Sequence, residues 1–199
     1  MRTDSQGYSD YLNAKYLPGR RLYLRWLFYP KLFRRFATND TIVDLGCGTG
    51  EFLSYCRQKK RDVIGVDSNQ AFAAKCQADG FKVLVDDICQ LKSLDSSHFK
   101  HVICDNVLEH LQKDQLKAFF NRLNTLLLPG GTFVCIVPGR RGYKCDPTHK
   151  TFVNRVLLDS LLAGLPLTIK SQFFHPLDMC GIDRWFYLNM QVFEILRSN

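Results

Sequence analysis

The sequence predicts an α/β fold built on a seven-stranded sheet, mostly parallel with an antiparallel C-terminal hairpin, and with helices on both faces. Three observations predict it. From residue 40 onward, short β-branched runs alternate with helical ones. The runs are apolar nearly throughout, as strands buried on both faces are. The last two long runs follow one another with only a short connection, which suits an antiparallel pair at a sheet edge.

In chain order, residues 1–37 are expected to form a helical cap segment ahead of a domain spanning 38–199. The stretch from Tyr8 to Phe36 holds seven basic residues and nine aromatics. Two or three helical pieces broken at Pro18 and Pro30 are expected there. Their aromatic face is expected to cap the sheet and line a pocket, with Lys and Arg stems covering the outside; the alternative is an amphipathic segment making peripheral contact with a membrane. The strands are then TIVDLG (41–46), DVIGVD (62–67), FKVLVD (81–86), HVICDN (101–106) and GTFVCIVP (131–138). Between them lie the helical stretches EFLSYCRQKK, NQAFAAKCQADG with its terminal Gly stop, and KDQLKAFFNRLNTLL before PGG. After Pro138 the chain turns polar through GRRGYKCDPTHK. FVNRVLLDSLLAG is helical, and PLTIKSQFFHPL and RWFYLNMQVFEILRS supply the hairpin.

Composition narrows the class. With 199 residues, 46% hydrophobic and 23% charged, the chain reads as one ordinary globular domain. Its eight cysteines form no C-x-x-C pair and several sit in strand runs, so they read as small buried hydrophobes in a reducing compartment. Without an 18-residue apolar span or a signal-peptide pattern, the expected location is cytoplasmic. The formal charge of +8 suits either a polyanionic partner or simply a basic solvated surface.

The chemistry concentrates in VDLGCGTGEF, residues 43–52, where three glycines fall within five residues directly after a strand. A plain strand-to-helix turn needs one glycine. Gly46 and Gly48 permit a sharp turn and close backbone approach to a ligand, and Gly50 lets a helix starting near Thr49 pack on the strand. The position is the carboxyl end of the first strand, where open α/β sheets bind ligands. The dinucleotide spacing G-x-G-x-x-G is not met. Asp44 before the loop and Glu51 after it disfavour a pyrophosphate, which prefers bare helix N-terminal amides, and suit an ammonium or sulfonium.

With these residues in view, the chain resembles the class I S-adenosylmethionine-dependent methyltransferases over roughly residues 40–140, which implies the Rossmann-like form of the sheet. It has partial similarity to ubiquinone-pathway O-methyltransferases and small-RNA 2′-O-methyltransferases. The resemblance implies S-adenosyl-L-methionine as co-substrate and a loop made of Asp44, Gly46, Cys47, Gly48 and Gly50. It implies Asp67, with Ser68 beside it, as the acid receiving the ribose hydroxyls. It places Asp87, followed by Ile88, next to the adenine amino group, and Asn106 after the fourth strand. Arg20, in P-G-R-R-L, resembles an arginine that holds the methionine carboxylate. Asp67 as a helix cap and Arg20 as a solvated side chain are the structural alternatives.

On the acceptor side stand DNVLEHL (105–111) and CDPTHKTFVNR (145–155). The metal-dependent relatives carry Glu-x-x-Glu-His and a distal His here. This chain offers Glu109, His110 and His149, with Asn106 in place of the first acid, which removes one anionic oxygen from a hard-cation site. His149 or His110 as general base, aided by Glu109, is therefore favoured over a divalent metal. D-P-T-H is alternatively a turn whose Asp caps the next helix. The expected reaction is O-methylation of a small-molecule or carbohydrate-like acceptor. RNA 2′-O-methylation and a catalytically silent binding module remain alternatives, with nucleic acid the less favoured partner and the oligomeric state open.

Overall fold

The structure, a computed structural model, describes residues 24–36, 40–94, 98–179, 181–186 and 188–199. Arg20 and Pro18 lie outside these. A π-helical turn over Leu24–Phe28 leads into helix α1 (Tyr29–Phe33), with Pro30 in its first turn. A helix tolerates proline there because the lost N–H has no intrahelical acceptor. The break expected at Pro30 is thus a change of winding between two helical pieces.

Strand β1 (Ile42–Leu45) is followed by α2 (Glu51–Gln58), β2 (Val63–Asp67), α3 (Gln70–Ala78), β3 (Val83–Val85) and β4 (Phe99–Asp105). A 3₁₀ turn, Leu108–His110, precedes α4 (Lys113–Leu126), β5 (Leu127–Pro138) and the short α5 (Arg140–Lys144). Then come α6 (Arg155–Leu162), β6 (Leu167–His175) and β7 (Met190–Arg197). The seven strands lie in the order β3-β2-β1-β4-β5-β7-β6. Strands β1 to β5 pair in parallel, and β7 runs antiparallel to both β5 and β6. Because β1 connects to β2 on one side while β4 returns on the other, a crevice opens between the carboxyl ends of β1 and β4.

Alternation along the strands divides the core. Val102 and Cys104 join Phe119, Phe120, Phe133 and Phe193 on one face, under α4 and α6. Ile103, Val134 and Ile136 face the other way and meet Phe28, Leu32 and Phe52 from α1, its preceding turn and α2. Residues 24–36 thus close one face of the sheet. Arg35 bonds Glu194 of β7, Lys170 reaches the same carboxylate at 3.0 Å, and Lys31 lies 4.4 Å over the Phe173 ring. Phe28, Leu32 and Phe36 of this segment cover apolar sheet surface, while Trp26 and Leu27 stay exposed.

Three boundaries differ from the sequence reading. Strand β5 begins at Leu127 because that residue pairs with Phe99; the register then slips so that His101 meets Thr132, and Pro-Gly-Gly is accommodated as a bulge. The connection between β6 and β7 is long, 176–189, and includes a 3₁₀ turn at Ile182–Arg184. The polar stretch after Pro138 contains α5. All seven described cysteines are free, five of them buried. Among the described residues no helix is long and apolar enough to cross a membrane.

Candidate active site

The loop after β1 is built by glycines with different tasks. Gly46 sits at φ +79°, and a Cβ there would lie 2.3 Å from Cγ2 of Val107, so the loop presses against the segment after β4. Gly48 also has positive φ, +51°, yet a Cβ on it would meet nothing within 4 Å. Its backbone faces room rather than protein. A Cβ at Gly50 would meet Cys76 of α3 at 2.8 Å, and α2 starts at Glu51, two residues later than the sequence suggests.

Beneath the loop, the Cys76 thiol donates to the Gly48 carbonyl at 3.4 Å. A hydrogen bond to Cys76 and then burial push the Cys47 thiol well up, and its side chain packs with Leu53, Ala73 and Val83. Cys47 therefore offers a ligand its backbone only. Asp67, at the end of β2, accepts the Gly48 N–H and the Asn69 N–H, each at 2.8 Å. The cap of α3 is Asn69, which accepts from Ala71 and Phe72 at 3.0 and 3.3 Å; Asp67 is not the cap. Burial raises the Asp67 carboxyl, and the two backbone donors oppose that shift. Asp44 is raised well above the usual carboxylate range, first by burial and then by the charges of Asp105 and Asp67. Three acids thus crowd the crevice, an environment that a cation relieves.

Asp86 and Asp87 have separate fates. Asp86 accepts the backbone N–H and the hydroxyl of Ser93, both at 2.7 Å, and is held below its ordinary range by those bonds despite partial burial. Asp87 is exposed with one oxygen in an Asx turn to Cys89, and Ile88 beside it is buried. Ser68 is exposed. Asn106 adopts φ +55° and gives its amide to Asp105 at 2.6 Å.

That cluster comprises Glu109, His110 and His149, whose ligand atoms lie within 4.8 Å of one another. Glu109 and His110 sit on the 3₁₀ turn before α4, and the 145–155 loop folded against that turn brings His149 to both. Backbone N–H groups of Lys150 and Thr151 donate to the Glu109 carbonyl at 2.8 and 3.1 Å, tying the 145–155 loop to this turn. The Glu109 carboxyl is 1% exposed, meets no donor from another residue, and is pushed well up by burial and by Asp105 and Asp146. His149 Nδ1 lies 2.8 Å from the Tyr143 carbonyl, which only accepts, so Nδ1–H donates there, and Nε2 on the far side of the ring lies 3.8 Å from Glu109 Oε1. His110 Nδ1 meets the carbonyl and hydroxyl of Thr148 at 3.3 and 3.2 Å, and burial holds this histidine down to about 4. Thr148 gives its own hydroxyl proton to Asp146 at 2.6 Å. Asp146 thus makes the expected turn but caps no helix; Asn154 caps α6, accepting from Leu157 at 2.9 Å.

Comparison with known proteins matches this architecture. Residues 42–131 match the methyltransferase domain family. The match spans a little under half of the chain and takes in the glycine loop, Asp67 and Asp87. A probable S-adenosylmethionine-dependent methyltransferase of Mycolicibacterium smegmatis is 29% identical over 165 residues, covering 78% of this chain and 63% of that protein. The chain therefore spans less than two thirds of that relative's length. A SAM-dependent methyltransferase from Archaeoglobus fulgidus superposes with a TM-score of 0.70 at 22% identity, over 87% of this chain and 94% of its own. Magnesium protoporphyrin IX methyltransferase from Synechocystis gives 0.71 at 14% identity, over 98% and 96%. At these identities the two structures show the fold.

Around the site, sequence reasoning missed the supporting residues. Val107, Cys76, Tyr143 and Thr148 orient the loop and the two histidines through packing or backbone carbonyls, which no motif spacing encodes. Only D-P-T-H, with its turn chemistry, signalled part of that support.

Proposed function

We propose that the domain transfers the methyl group of S-adenosylmethionine to an oxygen of a small-molecule or carbohydrate-like acceptor. The observation that carries this reading is the open side of Gly48 in a crevice edged by Asp44, Asp67 and Asp105. The residues fit the co-substrate: loop backbone with room beside it, carboxylates suited to ammonium and sulfonium, and an exposed Asp87 beside buried Ile88 for the adenine. Residues 46–48, Asp67 and Asp87 would hold it. When bound it supplies a methyl carbon on cationic sulfur, which bonds to the acceptor oxygen as the carbon–sulfur bond breaks and its electron pair stays on sulfur.

The chain's own work is to place the acceptor oxygen in line and take its proton. His149 Nε2 carries the lone pair for that proton, and the Tyr143 carbonyl steadies the resulting imidazolium through Nδ1–H. His110, neutral and fixed by Thr148, orients the acceptor beside it. His149→Ala is expected to leave S-adenosylhomocysteine affinity unchanged and lower turnover by about 10²–10⁴. Unchanged turnover in that variant would remove the base role.

The convergence of Glu109, His110 and His149 favours a second reading of the same cluster. Two imidazoles held from behind and one buried carboxyl are a donor set suited to a divalent transition metal. Such an ion would be held by these three residues and would polarise the acceptor hydroxyl. A chelator that abolishes turnover in the wild type, restored by added metal, distinguishes this reading from the metal-free base.

A further inference from the structure

Two adjoining cavities open beside the candidate site. One, of about 450 Å³, lies between the starts of α4 and α6 and carries Lys113 and Lys150. The other, of about 250 Å³, lies against β6 and the 176–189 connection and carries Arg140, Arg155 and Arg184. They share Phe152, Asn154 and Val156, so they form one groove bent over those residues.

The groove's lining is cationic beyond what its ion pairs neutralise. Its one carboxylate, Asp183, lies 3.8 Å from Arg140, and Arg155 is bonded to Asp159 at 3.0 Å. Lys113, Lys150 and Arg184 are exposed and form no ion pair among the described residues. Like charges gathered along a concavity focus a positive potential into it. Between the two cationic ends, half-buried Phe152 and the 77% exposed Val156 supply an apolar bed. The groove also adjoins the chemistry: the Tyr143 ring contacts Phe152 at 5.3 Å and stacks on His149 at 5.5 Å. One aromatic ring separates the bed from the candidate base.

We propose that this groove anchors the methyl acceptor through phosphate groups, so that the acceptor is a small phosphorylated molecule. The inference rests on the methyl-transfer reading and adds the substrate class. Its phosphates meet Lys113 and Lys150 at one end or Arg140, Arg155 and Arg184 at the other, and its carbon skeleton lies on Phe152 and Val156. The larger cavity has the volume of a small-ligand site rather than of an extended strand channel.

Inorganic pyrophosphate is the probe. It is titrated calorimetrically into the wild type and into a Lys150→Gln/Arg184→Gln double variant, and S-adenosylhomocysteine is titrated into both. The wild type is expected to bind pyrophosphate with an affinity that falls as salt rises. The double variant should bind it at least tenfold more weakly, with S-adenosylhomocysteine affinity the same in both proteins. No pyrophosphate binding, or equal binding by the variant, refutes the anion site. A single-stranded RNA octamer that displaces pyrophosphate and binds about a hundredfold tighter refutes the small-molecule assignment. Pyrophosphate binding without any S-adenosylhomocysteine binding refutes the acceptor role through failure of the methyl-transfer reading, and is thereby distinct from failure of the groove.

Discussion

At the residue scale, Gly46 and Gly48 look interchangeable in the motif, yet their surroundings predict opposite phenotypes. Gly46→Ala drives a methyl into Val107 at positive φ and should cost about 2–5 kcal/mol of stability, the sum of overpacking and left-handed strain. Gly48→Ala meets no protein atom, so it should cost only about 1 kcal/mol in the melt while lowering S-adenosylhomocysteine affinity at least tenfold. Thermal unfolding and calorimetry on the pair separate the roles; wild-type affinity in Gly48→Ala would mean the open side faces no ligand. Asp67→Ala removes the acceptor for two loop amides as well as a ligand contact. It should weaken ligand binding by about 1.5–3 kcal/mol and also lower the ligand-free melting temperature, which a residue contacting ligand alone would leave untouched. The glycine spacing and the acids at strand ends were legible in the sequence because the chemistry of the turn demands those residue types. The histidine tautomers were not, since carbonyls of Tyr143 and Thr148 set them, and a carbonyl carries no residue identity.

Between elements, the N-terminal segment binds the sheet through shape and through titratable contacts, one of which is a histidine lowered by burial. Leu32 is fully buried among Phe28, Ile42 and Ile103, and Leu32→Ala is expected to cost about 2–5 kcal/mol. At the end of β6, His175 stacks on Phe28 with ring centroids 4.7 Å apart, and burial, then the Lys31 charge, pushes it down to about 4. It folds neutral but takes up a proton near pH 6.5 when unfolded. A histidine lowered by folding contributes its full stability above about 6.5, and that stability is lost as pH falls toward 4, because the unfolded chain then binds the additional proton. His110 and His101, also lowered by burial, act in the same direction, so His175→Gln should flatten the fall in melting temperature between pH 6.5 and 4 without abolishing it. An identical slope in the variant would contradict the assignment. The parallel strands could be read from sequence because burial on both faces makes them continuously apolar. The β6–β7 connection could not, since R-W-F-Y-L is apolar enough to resemble strand although Trp185 and Leu188 are exposed.

At the scale of the whole molecule, the fold gathers its chemistry along one edge. The crevice at the ends of β1 and β4 collects acids, and the groove against α6 collects cations, with His149 lying between them through Tyr143. On the proposed reading, that division would give a cationic co-substrate and an anionic acceptor separate approaches to one point. The overall charge of +8 was visible in the sequence, but its concentration in a groove arises from residues as distant as Lys113 and Arg184, which only the topology brings together. The central claim is that the glycine loop is a seat for S-adenosylmethionine. Calorimetric titration with S-adenosylhomocysteine and with NADH, on the wild type and on Gly48→Val, tests it most directly. One-site binding of S-adenosylhomocysteine by the wild type, lost in the variant, with no heat from NADH, is the predicted result; binding of NADH in place of S-adenosylhomocysteine would contradict it.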